Sequence, residues 1–174
     1  YKISQFDSEY KEDSQLVLQK KTKGEGINIV FTADGYDAQD IADGAFLADI
    51  QEGMKYFFGV EPYKTYQEYF NVYADVAMSY ESGVCSNVNV WRDTKFDTTY
   101  GAGNNERLKT DADGVMNYVM NEVTGSVVTS QNVGQTLVVC ILNSDAYEGI
   151  CTMYTNGTAV AFVPHSRYEY PYDY

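Results

Sequence analysis

One imidazole and three thiols limit the chemistry open to this 174-residue chain: His165 is the only histidine, and Cys85, Cys140 and Cys151 are the only cysteines. Structural zinc takes four Cys or His ligands, and catalytic zinc takes three protein ligands that usually include histidine, so a zinc site built from this chain alone is not expected. Nucleophilic catalysis needs a serine or cysteine held against a base. His165 precedes Ser166, but neighbours in sequence do not form a dyad, and the sequence has no Gly-x-Ser-x-Gly elbow. Cys85 meeting His165 in space is the remaining combination, with no local signature to support it. Three cysteines allow one disulfide at most. Cys140 and Cys151 fall on successive expected strands, where register decides whether their sulfurs meet.

Carboxylates offer three further positions. Thr110-Asp111-Ala112-Asp113-Gly114 has the spaced acids of a calcium loop, but it lacks the later acidic ligand and the terminal glutamate, so capping of a following helix is the expected role. Asn156-Gly157-Thr158 fits a glycosylation sequon and equally a hairpin turn. Asp34-Gly35-Tyr36 closes an expected strand at its carboxyl end, where α/β sheets place their sites. Asp-Gly also supplies the turn a strand-to-helix connection needs, so Asp34 is expected to hold that turn, with chemistry at Asp34, Gly35 and Tyr36 as the competing reading.

Twelve Lys and Arg against 25 Asp and Glu give a net charge of −13, which argues against nucleic acid and anionic lipid as partners. No apolar run approaches the roughly 20 residues of a membrane helix. The chain opens at Tyr1 without methionine or a basic-then-apolar signal, so it is expected to be a processed piece of a longer protein. Seventeen tyrosines suit dense sheet packing, and also an extracytoplasmic surface that contacts peptide or glycan.

The elements that must position these groups follow from periodicity. A polar lead and a short strand over 15–19 occupy residues 1–20 and read as a linker from an upstream region; residues 21–174 read as one domain. Ile27 to Ala33 is a buried strand. Asp37 caps a helix expected over about 38–58, with Leu47, Ile50, Met54, Phe57 and Phe58 at steps of three and four, and Gly59 and Pro62 as stop signals. A helical turn over 63–69 leads to Phe70, Val72, Ala74, Val76 and Met78, which alternate with more polar residues as in a half-buried strand. Residues 81–110 form a long loop with Trp91 and Phe96 as apolar anchors. Val115, Val119 and Val123 mark a second helix over 113–123. Thr136 to Leu142 is the continuous apolar run of a central strand, and Asn156-Gly157 joins two closing strands in a hairpin. The fold class is α/β, a mixed β-sheet with packed helices.

Taken in order, Ile27-Asn28-Ile29-Val30-Phe31, Asp34-Gly35-Tyr36, the helix to Phe57-Phe58, Pro62, Tyr69-Phe70-Asn71-Val72, Ser79, Glu81-Ser82-Gly83 and Asp93-Thr94 with Phe96 resemble the amino-terminal half of the catalytic domain of the IgA-peptidase family of bacterial zinc metallopeptidases. The resemblance runs from about residue 24 to residue 174; Ala33 stands where the family usually has glycine. It implies an incomplete zincin-like domain of a secreted, extracytoplasmic enzyme that hydrolyses peptide bonds in a protein substrate such as an immunoglobulin. The family's zinc motif, H-E-x-x-H, is not in this chain. In the family that motif follows a segment similar to the tyrosine-rich stretch 166–174, so the chain is expected to stop short of it. Zinc then belongs to the parent protein, no catalytic or metal residue is assigned here, and the remainder of the catalytic domain is an implied partner. Zincin folds lay a peptide along the sheet's edge strand. That strand is expected at Ala159, Val160, Ala161, Phe162 and Val163, ended by Pro164. The alternative is a non-catalytic α/β module binding peptide or glycan.

Overall fold

The computed structural model describes residues 10–85, 90–101, 108–146 and 148–165. Ser166, the tyrosine-rich stretch after it and most of the polar lead lie outside the described residues. One six-stranded mixed sheet carries the chain. Its strands are Gln15–Gln19 (β1), Ile27–Asp34 (β2), Phe70–Asp75 (β3), Thr136–Leu142 (β4), Ile150–Met153 (β5) and Ala159–Pro164 (β6), in the spatial order β1-β3-β2-β4-β6-β5. The neighbours β2–β3, β2–β4 and β4–β6 run parallel, and the two outermost pairs, β1–β3 and β5–β6, run antiparallel. Among the described residues no helix is long and apolar enough to cross a membrane.

The central strands are rich in β-branched and aromatic residues because layers cover both sheet faces. Ile29, Phe31 and Ala33 of β2 point to one layer with Val72, Ala74, Val139 and Ile141, against Ile41, Phe46, Leu47 and Ile50. Val30, Val138, Cys140, Leu142, Val160 and Phe162 point to the other, against Val115, Tyr118 and Val119. β3 is therefore not half-buried: Tyr73 and Asp75, the polar members of its alternation, are as inaccessible as Val72 and Ala74. The Lys20 ammonium donates to the Tyr73 hydroxyl at 3.1 Å, and Gln15 Nε2 donates to Asp75 at 2.7 Å.

Two helices replace the single one expected over 38–58. Ala38–Ala42 (α1) starts from Asp37, the expected cap, whose carboxylate accepts from the amides of Gln39 and Asp40; Asp40 accepts in return from the Asp37 amide, a reciprocity not expected from the sequence. Ala45–Phe57 (α2) starts afresh after Gly44, whose φ of +82° ends the first helix. The apolar period continues across the break, which is why it reads as continuous. Ala112–Asn117 (α3) is capped by Asp111, which accepts from the Gly114 amide at 2.8 Å, and it widens into a π-helical turn over Tyr118–Glu122. Capping is thus the role found for Asp111. Of the two loop anchors, Phe96 is buried while Trp91 is 73% exposed.

The hairpin forms at Asn156-Gly157 with its strands exchanged from their expected places. β6 lies inside, paired with β4 on one side and β5 on the other. Ala159, Val160, Ala161, Phe162 and Val163 therefore form no rim, and the free edge belongs to β5. Chain order suggested that the last strand is outermost. The parallel β4–β6 ladder instead buries Val160 and Phe162, which β5 is too short and too exposed to replace. The same exchange separates Cys140 from Cys151 by a whole strand, and all three cysteines are free thiols.

Candidate functional site

The carboxyl ends of β2 and β4 meet the loop that follows β3, and Asp34 is the group on which they converge. Its carboxylate is inaccessible to solvent and accepts from five donors. Oδ1 takes the amides of Gly35 and Phe96, both at 3.1 Å, and the Ser79 hydroxyl at 3.4 Å; Oδ2 takes the Thr94 hydroxyl and the Thr98 amide, both at 3.1 Å. Ser79 Oγ in turn accepts from the amides of Gly35 and Lys95. The five donors stand in for the water that burial removes from the carboxylate. Each of these contacts ties the carboxylate to the turn at Gly35 or to the loop after β3.

Gly35 lets the chain turn there. Its φ is +81°, and a Cβ would stand 2.7 Å from the Gly83 carbonyl carbon, so any side chain would collide with the loop that crosses it. The Gly83 amide and the Asn143 side chain both donate to the Gly35 carbonyl, at 2.7 and 2.8 Å. Tyr36 is buried edge-on against Phe46, and its hydroxyl donates to Asp49 of α2 at 2.7 Å. Burial, reinforced by the Asp49 charge, pushes the Tyr36 phenol far above its ordinary value. The sequence-predicted Asp34, Gly35 and Tyr36 thus stand together as a structural junction.

Asp49 also faces His165, whose Nδ1 lies 3.9 Å from Asp49 Oδ2, too far for a hydrogen bond. Between them and α2 lies a small recess bounded by Glu52, Gly53, Ile141, Val163 and Pro164. On the other side His165 lines a cavity of about 370 Å³ with Gly83, Val84, Arg92, Asn143 and Ser144. Neither Ser79 nor Cys85 is placed as a nucleophile. The Cys85 thiol is engaged by the Arg92 amide at 3.0 Å, and the Cys140 thiol is pushed well above its ordinary range by burial. Asp49, Asn143 and Arg92 went unremarked in the sequence because each is an ordinary residue of its helix or loop; only the fold brings them to one end of the sheet.

The donors present do not fit a catalytic zinc. One histidine is available, and among the described residues no group of three or more His, Cys, Asp or Glu side chains is placed to hold a metal ion.

Among the described residues the cover on the α2 side of the sheet stops short of its far end. The helices cover β1, β3, β2 and β4 but stop there, with Gly53 resting on Ile141. Beyond it Ala161, Val163, Cys151 and Met153 share the same face, and no described element packs over them; Val163 is 41% and Met153 80% exposed.

Comparison with known proteins gives one family. None of the curated proteins matches the chain. The family model for IgA Peptidase M64 matches residues 16–166, which takes in β2 to β6, all of β1 but Gln15, the Asp34 junction and His165. The chain belongs to the IgA Peptidase M64 family.

Proposed function

We propose that this chain is the substrate-aligning part of a secreted, zinc-dependent endopeptidase whose metal ligands and general base are supplied by residues outside these 174, and that alone it does not hydrolyse peptide bonds. Membership of a peptidase family supports the reaction class. The observation that carries the division of labour is the bare half-face formed by Ala161, Val163, Cys151 and Met153. Apolar sheet surface beside small residues is the footprint of a packed helix, and none of the described residues supplies one. Zinc would arrive with that missing segment, since the donors here do not fit it.

What this chain contributes is alignment. Among the described residues β5 pairs with β6 on one side only, which leaves the amides and carbonyls of its other side to an extended peptide. Its rigidity comes from β6, locked between β5 and β4, and from the Asp34 junction that fixes the neighbouring loops.

The test is hydrolysis of casein and immunoglobulin A with added zinc. The 174-residue chain should leave both intact. The protein translated past Tyr174 should cleave, and a chelator should stop it. Chelator-sensitive cleavage by the 174 residues alone would overturn the division, and inactivity of the longer protein would overturn the peptidase reading.

A further inference from the structure

At the amino ends of β2, β3 and β4, the end of the sheet opposite the Asp34 junction, Tyr63, Tyr66 and Tyr69 surround a cavity of about 540 Å³ with Ile27 and Phe70 at its base and Glu25 and Gln135 at its margin. Tyr66 is 54% exposed and Tyr63 and Tyr69 38% each, and among the described residues none of their hydroxyls makes a hydrogen bond. Exposed aromatic rings gathered around a concavity of this size are the usual make-up of a ligand site.

The rings are fixed in place. Tyr63 stacks on Phe57 with centroids 4.2 Å apart, and Tyr66 meets Tyr69 edge-on at 5.9 Å. An edge of the Tyr69 ring lies against Gly24, where a Cβ would stand 2.7 Å from the ring, so the turn between β1 and β2 is glycine where the tyrosine needs room. That turn is tied to the tyrosine segment by the amides of Thr22 and Lys23, which donate to the Glu68 carbonyl, and by the Lys23–Glu68 ion pair. A site already ordered loses little entropy on binding.

The polar groups select the ligand. Aromatic faces accept flat apolar surface, while Glu25 accepts hydrogen bonds and cannot donate. A proline-rich peptide offers carbonyls to the tyrosine hydroxyls but brings no donor to the Glu25 carboxylate. A sugar ring offers an apolar C–H face to a tyrosine and hydroxyl donors to Glu25 and Gln135. The net charge of −13 disfavours an anionic sugar. From this geometry we infer that the Tyr63–Tyr66–Tyr69 cavity is a binding site for neutral saccharides, separate from the β5 rim and independent of the peptidase reading.

Ligand-observed NMR on the 174-residue chain tests this with lactose, N-acetyllactosamine, sialyllactose and an oligoproline. The two neutral sugars should receive saturation from the aromatic protons with a Kd of about millimolar, as one or two stacked rings provide. Tyr66→Ala should weaken them about tenfold with an unchanged melting temperature, since Tyr66 is the most exposed of the three rings. Glu25→Gln should weaken the neutral sugars and narrow their advantage over sialyllactose. Absence of transfer to both neutral sugars, transfer that survives Tyr66→Ala, or binding of the oligoproline in their place would overturn the inference.

Discussion

The Thr94 hydroxyl donates to the Asp34 carboxylate at 3.1 Å across 60 residues of sequence, and so ties the loop after β3 to the end of the strand at the sheet's centre. With the amides of Phe96 and Thr98 it gives one carboxylate three donors from a loop whose described residues form no strand or helix.

Asp34→Asn should therefore destabilise the fold by about 3–5 kcal/mol, the range for breaking a buried charged network, because an amide nitrogen would face donors and one acceptor would be lost. Urea unfolding gives the magnitude. Amide exchange should quicken first at Phe96 and Thr98; unchanged stability would return Asp34 to a chemical role.

Two glycines with the same backbone separate steric from torsional cost. Gly44 and Gly35 have φ of +82° and +81°, but a Cβ on Gly44 meets nothing within 4 Å, while one on Gly35 meets Gly83 at 2.7 Å. Gly44→Ala should cost about 1 kcal/mol, the torsional price alone. Gly35→Ala should cost several times more. Equal melting temperatures for the two variants would contradict the close crossing of residues 83–84 over the turn.

Asp75 makes stability depend on pH. Burial pushes its carboxyl up from 3.8 to about 7, outweighing the opposing hydrogen bond from Gln15. The folded chain therefore holds a proton that the unfolded chain has lost. Stability from this group is complete below pH 4, falls by up to roughly 1.4 kcal/mol per unit as pH rises toward 7, and is flat above that. Asp75→Asn should remove this slope. Denaturant midpoints across that window for both proteins decide the matter; parallel slopes would exclude Asp75 as the source.

The two faces of β5 and β6 should respond differently to substitution. Phe162→Ala should cost about 3–5 kcal/mol, since the ring is wholly buried against the α3 layer. Val163→Ser and Met153→Ser should each stay within about 0.5 kcal/mol in the 174-residue chain. If the proposed division of labour holds, Val163→Asp should lower peptide hydrolysis in a protein extended past Tyr174, because the face it occupies would then be covered.

Much of this fold was legible in the sequence. The apolar run over 136–142 does mark a strand buried on both faces, Asp37 does cap a helix, and Asn156-Gly157 does turn a hairpin. The order of strands was not legible, because parallel pairing is settled by which strand offers the larger buried face, and chain order carries no record of that. Tyr73 and Asp75 disguised β3 as half-exposed, since their partners Lys20 and Gln15 come from the other end of the chain segment. At the junction, Asp34 and Gly35 announced a turn through local chemistry. The donors from Thr94, Phe96 and Thr98 were invisible because a loop without periodicity gives no hint of which amides point inward.

The inside position of β6 also bears on how the chain reaches its fold. A hairpin closed by Asn156-Gly157 can form in microseconds from local contacts, whereas the parallel β2–β4 and β4–β6 ladders must wait for distant segments to meet. On these timescales β5 and β6 are expected to pair before they dock on β4, which makes their alignment on it a separate event. Thr158 fixes that alignment: its hydroxyl donates to the Thr136 carbonyl at 2.7 Å in a buried position at the start of both strands. A slip by one residue would turn Val160 and Phe162 to the opposite face. Thr158 thereby acts as a registration pin at docking, and Thr158→Val should slow refolding more than it speeds unfolding in stopped-flow measurements.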